Sequence, residues 1–383
     1  MNPLSLYIHI PFCVKKCAYC DFISHRVGDF EANKGIERYM EALKLELSHY
    51  EAVLAQSKIM TIYIGGGTPS AIEGAFIHDL INYIRKIADV DKHAEITIEI
   101  NPGTLTSDKL NHYLSAGINR VSMGLQTTND SLLTALGRIH STNDFITTFN
   151  AVKTAGIDNI SLDLMFGLPN QTLQDIENAL SLIRSLKPTH VSAYSLKIEE
   201  GTPLFESYEL GKVILPDEEL ERNMYHAIEK GLGKLGIKEY ELSNFSLIGY
   251  ESKHNLVYWK NEPYLGIGVS AHSKLSNNRF SNTSLIYQYI ESLEMGNLSI
   301  EETDAIDEKE DLFESIILGL RLNRGINMSV LSSKYNIDFI VKYKEVLESL
   351  LDSELIYINE GTIILTELGR DLANQVFLQF MID

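Results

Sequence analysis

Six short runs rich in β-branched residues alternate with longer amphipathic stretches through the first 200 residues of this 383-residue chain. Strand–helix repetition of this kind closes on itself only as a parallel sheet with helices over its outside. The strand runs are 4–10, 58–64, 95–100, 120–124, 159–164 and 190–196. Helical patterns fall at 36–56, 76–87, 107–115, 130–136 with 142–154, and 173–186. The expected fold is therefore α/β, a partial (β/α)6 barrel or an open sheet.

The phase of the strands sharpens this expectation. Leu4, Leu6, Ile8 and Ile10 share one face and Ser5, Tyr7 and His9 the other; Ile96, Ile98 and Ile100 oppose Thr97 and Glu99; Leu162 and Leu164 oppose Asp163. A strand buried in apolar surroundings on both faces reads apolar at both parities. Here one parity is repeatedly polar, so the lumen is expected to hold a polar ligand. Turn-forming segments follow the strands: the cysteine loop after the first, Gly65-Gly66-Gly67-Thr68-Pro69 after the second, Asn101-Pro102-Gly103 after the third, Leu125-Gln126 after the fourth and Gly167-Leu168-Pro169 after the fifth. Sheets of this type carry function at the carboxyl ends of their strands. The glycine run has the spacing of neither a P-loop nor a dinucleotide fingerprint. It is read instead as a backbone edge that a small ligand, such as an amino-acid moiety, can approach closely.

All three cysteines lie within eight residues, as Cys13, Cys17 and Cys20 in a C-x3-C-x2-C pattern. Three thiolates hold three corners of a [4Fe-4S] cluster and leave one iron open, whereas electron-carrying clusters are closed by four. A single zinc is the rival, and it would need His9, Asp21 or His25 to complete a closed set. No second Cys pair of the usual zinc framework is present. The net charge of −19, from 33 Lys and Arg against 52 Asp and Glu, argues against nucleic-acid or anionic-membrane partners. No run of 18 apolar residues suggests a membrane span. Three thiols and a start without a charged-then-apolar leader set the expected location as the reducing cytoplasm.

C-x3-C-x2-C after a first strand, with Gly-Gly-Gly-Thr-Pro after the second, resembles the radical S-adenosylmethionine superfamily. Tyr7-Ile8-His9-Ile10-Pro11-Phe12-Cys13, Glu99-Ile100-Asn101-Pro102-Gly103, Ser122-Met123-Gly124-Leu125-Gln126, Leu136-Gly137-Arg138 and 163–169 (Asp-Leu-Met-Phe-Gly-Leu-Pro) resemble the oxygen-independent coproporphyrinogen III oxidase family. The resemblance implies a cluster on the three cysteines whose open iron chelates S-adenosylmethionine, and reductive cleavage of that sulfonium to a 5′-deoxyadenosyl radical. It implies contacts to S-adenosylmethionine from Tyr7, Gly66, Gly67, Thr68 and Glu99. Tyr19, Gln126, Arg138 and Asp163 would line its nucleoside side or a second such molecule.

Within that family the oxidase pattern has a further cysteine just past the third ligand, where this chain has Asp21-Phe22. The haem-chaperone (HemW-type) branch is the better match, through the H-N-x-x-Y-W motif His254-Asn255-Leu256-Val257-Tyr258-Trp259 and the following Ala271-His272-Ser273. That branch implies haem contacts from His254, Tyr258 and Trp259, a haem-accepting protein as partner (membrane-bound respiratory proteins among the candidates), and a flavodoxin or ferredoxin as electron donor. From spacing alone, the favoured reading is Tyr258 and Trp259 as core anchors and His254 as a satisfied polar neighbour, and the resemblance reverses that. Radical decarboxylation of coproporphyrinogen is the alternative activity, and a zinc-stapled binding module the non-enzymatic one.

Three regions are expected: 1–200 as the barrel, 201–300 as a bridging extension that carries the motif, and 301–383 as a small α+β domain. In the last, helical patterns at 312–323, 339–351 and 368–380 surround a hairpin with Asn359-Glu360-Gly361-Thr362 at its turn, which resembles a winged helix. Residues 304–383 carry 7 Lys and Arg against 15 Asp and Glu. Phosphate binding needs the reverse balance, so this module is expected to pack on the barrel or meet a protein.

Overall fold

The structure, a computed structural model, describes residues 1–31 and 34–381. β1 (Asn2–Ile10), β2 (Ser57–Gly66), β3 (Asp89–Ile100), β4 (Arg120–Gln126), β5 (Asn159–Phe166) and β6 (His190–Ser195) pair in sequence order, all parallel. Between them run α1 (Gly35–His49), α2 (Gly74–Ile87), α3 (Ser107–Ser115), α4 (Thr142–Thr154) and α5 (Leu173–Leu186). α4 and α5 start at full capping boxes, Ser141 with Asp144 and Thr172 with Asp175, so their first turns have their free N–H groups answered. The expected helix over 36–56 breaks at Tyr50, and a second short helix follows at Glu51–Ala55. β3 starts earlier than the β-branched run because residues 89–93 are largely exposed and therefore polar.

The apolar parity faces the helices. Leu6, Ile8, Ile62, Ile64, Ile98, Val121, Met123, Leu162 and Leu164 are all completely enclosed, each contributing about 1.5–3 kcal/mol relative to exposure. The polar parity faces the lumen in rows that register across strands. Ser5 lies beside Thr61, Tyr7 beside Tyr63, Thr97 beside Arg120, Glu99 beside Ser122, Ser161 beside His190 and Asp163 beside Ser192. Bulges near Ser5 and between Ile59 and Thr61 keep that phase and turn Met60 outward.

Residues beyond the sixth strand extend both edges of the same sheet, which has 12 strands in all. β7 (Lys238–Glu241) and β8 (Asn244–Ser246) add antiparallel strands beside β6. On the other edge β9 (Tyr264–Ile267) lies parallel to β1, followed by antiparallel β10 (His272–Leu275), β11 (Asn278–Asn282) and β12 (Ile300–Ala305). The connection between the edges contains α6 (Lys253–Trp259), which crosses below the lumen. Its first two N–H groups donate to the Glu95 carboxylate, and His254 bonds to Thr61 of β2.

The C-terminal residues form a second core around Ile316, Phe339, Leu350, Ile363 and Val376. α7 (Glu308–Leu320) leads into a three-stranded sheet of β13 (Ile326–Asn327), β14 (Ile356–Asn359) and β15 (Thr362–Leu365), ordered 13-15-14. The hairpin turn places Glu360 and Gly361 at positive φ, the geometry of a two-residue primed turn. Two of the expected helices split, at Tyr343 and at Leu372. No helix among the described residues is long and apolar enough to cross a membrane.

Candidate functional site

The loop after β1 carries the three thiols to the mouth of the lumen. Its backbone is tied down from several sides: Ala18 N–H donates to Leu136 O, Leu204 N–H to Ala18 O and His25 N–H to Pro11 O. Cys13, Cys17 and Cys20 are free and half-buried, and all three line one cavity of about 670 Å³. Among the described residues, no three His, Cys, Asp or Glu side chains close around a point fit for one ion. The three thiols lie along the wall of that cavity, beside Tyr19 and Arg138. Cys13 Sγ lies 3.4 Å from the Thr68 hydroxyl, and Arg138 Nη1 donates to Cys17 Sγ at 3.6 Å. Burial pushes the Cys13 thiol up and the Cys20 thiol up to about 11. Deprotonation there therefore has to be driven by the group that binds.

Gly66 and Gly67 are required by close approach. Gly66 has φ +108°, and a Cβ there would come within 2.6 Å of the His9 ring; at Gly67 it would meet the Phe12 backbone at 2.9 Å. The N–H groups of Gly66, Gly67 and Thr68 are paired within the chain. Gly66 N–H donates to Glu99, Gly67 N–H to Ile10 O and Thr68 N–H to Phe12 O. These amides hold the cysteine strand in place, and a ligand is left with the Thr68 hydroxyl and the other groups of the rim.

Further into the cavity, Glu99 accepts from the Tyr63 hydroxyl at 2.8 Å as well as from Gly66. Burial pushes its carboxyl up to about 7, so it is poised between charged and neutral near neutral pH. Asp163, across the lumen, accepts from Ser122 at 3.2 Å and is likewise raised by burial. Gln126 ends β4 with φ +64°, a left-handed geometry uncommon for a residue with a side chain. That backbone turns its amide toward Tyr194, whose hydroxyl donates to it at 3.1 Å. Arg138 occupies the space left by the missing side chain of Gly124 and donates to Asn101 at 2.6 Å and to the Gly124 carbonyl at 3.3 Å. Tyr19 lines the same wall, its hydroxyl kept protonated by burial.

The remaining expected site residues separate from this group. Tyr7 lines a second cleft of about 410 Å³ with His9, Asp21, Phe22, Ile23, Tyr258, Tyr264, Ser270 and His272. Its ring stacks on Tyr63 with centroids 6.3 Å apart, so it is the partition between cleft and lumen. His254 is sealed beneath: Nδ1 bonds to Thr61 Oγ1 at 2.7 Å, Nε2 to the Tyr258 hydroxyl at 2.9 Å, and burial pushes its pKa down to about 3. In this conformation neither imidazole nitrogen is open to iron. Trp259 points the other way, under the Arg321 guanidinium at 5.3 Å from its ring centroid. Of the three motif residues expected at haem, only Tyr258 faces a cleft.

Several lining residues escaped the sequence reading: Tyr63, Arg120, Ser122, Ser192 and Tyr194 in the lumen, and His272 in the cleft. Parity would have found the lumen residues, since Arg120 and Ser122 alternate in β4 just as Thr97 and Glu99 do in β3. His272 stands in the Ala271-His272-Ser273 segment of the resemblance but is given no role there.

Comparison with known proteins falls on the same elements. The Radical SAM superfamily pattern matches residues 7–183, from β1 into α5, and the HemN C-terminal domain pattern matches residues 306–372. Fold and thiol loop thus define a radical SAM protein with a HemN-type C-terminal module. Among solved structures, the coproporphyrinogen III oxidase HemN from Escherichia coli aligns with a TM-score of 0.85 over 99% of this chain and 90% of its own, at 24% identity. That likeness is one of fold. The heme chaperone HemW of Bacillus subtilis is 36% identical over 98% of this chain and 99% of its own length. That of Lactococcus lactis is 35% identical over 100% and 98%. The chain belongs to the HemW family.

Proposed function

We propose that this protein is a haem chaperone: it carries a [4Fe-4S] cluster on Cys13, Cys17 and Cys20, binds S-adenosylmethionine in the barrel cavity, and holds haem for delivery to an acceptor protein. The observation that carries this reading is three free thiols around the mouth of a polar lumen, in a chain related to HemW over nearly its whole length. When bound, the cluster would supply an open iron site and a low-potential electron. The chain's own groups position what binds there. Arg138 neutralises charge at Cys17, Glu99 and Asp163 accept from ammonium or ribose hydroxyls, and Thr68, Gln126 and Tyr19 complete the wall. Tyr7, stacked on Tyr63 between the two spaces, contacts the occupant of the second cleft.

Haem, as cargo, fits the second cleft, where Tyr258 and Tyr264 pack edge to face at 4.7 Å and two imidazoles, His9 and His272, share the lining. His254 reaches the iron only after the Tyr258 hydroxyl releases Nε2. A flavodoxin or ferredoxin serves as electron donor, and the reducing cytoplasm is the compartment that suits such a cluster.

Haem titration of the anaerobically reconstituted full chain tests this reading. His254→Ala should weaken binding, and Tyr258→Phe, which uncaps Nε2, should shift the haem absorption band. Binding and spectrum unchanged in both variants would remove the motif from the haem site. Carbon dioxide release from coproporphyrinogen would make the protein an oxidase of the HemN kind instead.

A further inference from the structure

Arg120 opens β4 and is 2% exposed, one of the largest fully enclosed side chains in the molecule. It nonetheless lines the barrel cavity together with the three cysteines. Its Nε is buried and makes no hydrogen bond. Among the described residues, no carboxylate lies within ion-pairing distance of the guanidinium, although every other buried or half-buried cation at the site has partners. Arg138, the other buried cation of the lining, has Asn101, Cys17 and Gly124.

An enclosed charge without a paired counterion is expensive; Glu99 and Asp163 feel the charge of Arg120, but among the described residues neither carboxylate closes to an ion pair with it. Glu99 is engaged by Tyr63 and Gly66, and Asp163 by Ser122. The histidines that feel the positive charge, His190 and His254, are pushed down by burial and then by Arg120, and both are already hydrogen-bonded. The remaining neighbours at this level are hydroxyls: Tyr63, Ser122, Ser192 and Tyr240. The chain has built a cationic fork at the lumen floor and left its anion to come from outside.

We propose that Arg120 receives a carboxylate of the bound ligand at the floor of the barrel cavity. A guanidinium fork matches a carboxylate through two parallel hydrogen bonds. A doubly charged phosphate would meet Glu99 and Asp163 above it, in a protein of net charge −19, so a single planar anion is the better fit. The register sets the depth. Arg120 lies beside Thr97, two residues before Glu99, which is about 7 Å further from the thiol loop along the strand. The proposal rests on the reading above, which places S-adenosylmethionine in this cavity and haem in the second cleft, across the stacked Tyr7 and Tyr63 rings. Both bear carboxylates, so the source is either a propionate of the tetrapyrrole or the methionine carboxylate of S-adenosylmethionine.

The experiment compares wild type, Arg120→Gln and Arg120→Lys as reconstituted full-length protein, each checked for folding by thermal melting. Three ligand sets are titrated: haem against its dimethyl ester, S-adenosylmethionine against its decarboxylated analogue, and propionate against chloride, the last read by thermal shift. The carboxylate-bearing member of one pair should bind wild type about ten-fold or more tighter than its blocked partner. Arg120→Gln should abolish that preference and leave the blocked partner's affinity unchanged, while Arg120→Lys, which keeps the charge without the fork, loses part of it. The pair that responds identifies the source. If wild type binds neither haem nor S-adenosylmethionine but propionate still raises its melting temperature through Arg120, the chaperone reading fails and the carboxylate site stands. Equal preferences in wild type and Arg120→Gln across all three sets would overturn the proposal.

Discussion

Glu46 lies in α1 with no solvent around it, accepting from Gly268 N–H at 2.8 Å, Asn282 Nδ2 at 2.6 Å and the Tyr289 hydroxyl at 2.5 Å. Burial pushes its carboxyl up to about 7, with the three donors pulling the other way. In the unfolded chain the group titrates near 4.3. Between those values the native state holds the proton longer, so this contribution is fully present below the lower value. It is lost as pH rises toward the upper one. Wild type should therefore lose about 1–3 kcal/mol more stability between pH 5 and 7.5 than Glu46→Gln does, measured by urea unfolding at both pH values. Glu99 titrates in the same window in both proteins and drops out of the comparison. Parallel pH dependences would contradict the assignment. At this scale the sequence was uneven. Cysteine spacing identified the thiol loop and parity exposed Glu99 and Asp163, because both are local patterns. Tyr258 closes His254 from four residues on within the motif, whereas the Thr61 contact spans almost 200 residues and nothing near the motif announces it.

α6, which carries the motif, is held from two sides. Its N-terminus sits on Glu95 and Thr61 of the barrel, while Trp259 at its other end packs on Arg321, which also covers Phe377 of the C-terminal module at 5.5 Å. Beside it, Lys274 of β10 reaches Asn261, Asp311 and Glu314. The C-terminal module is thereby a clamp on the helix that carries the H-N-x-x-Y-W motif. Arg321→Ala should cost about 1–2 kcal/mol and raise hydrogen exchange in both 253–261 and 311–335. Faster exchange in the tail alone would show that the two elements are not coupled. The six barrel strands, their helices and the tail hairpin were legible in the pattern, but β7 to β12 were not, and β9 shows why. Its four residues are too short to alternate, and only their place beside β1 makes them a seventh parallel strand.

For the whole molecule, the alternation of strands and helices and the polar parity already described a partial barrel or open sheet with a polar inner face, because both follow from one face packing on helices and the other lining a cavity. How the last 180 residues close that barrel was not legible, since the two sheet edges they extend are assigned by tertiary pairing alone. The account as a whole depends on one iron of a thiol-held cluster facing the cavity unligated by the chain. Electron paramagnetic resonance of the reduced, anaerobically reconstituted full chain, with and without S-adenosylmethionine, reads that iron directly. A cluster signal that changes on addition of the compound, and that is absent from Cys17→Ala, is the predicted result. A protein that takes up no cluster, or a cluster whose signal S-adenosylmethionine leaves unaltered, would contradict it.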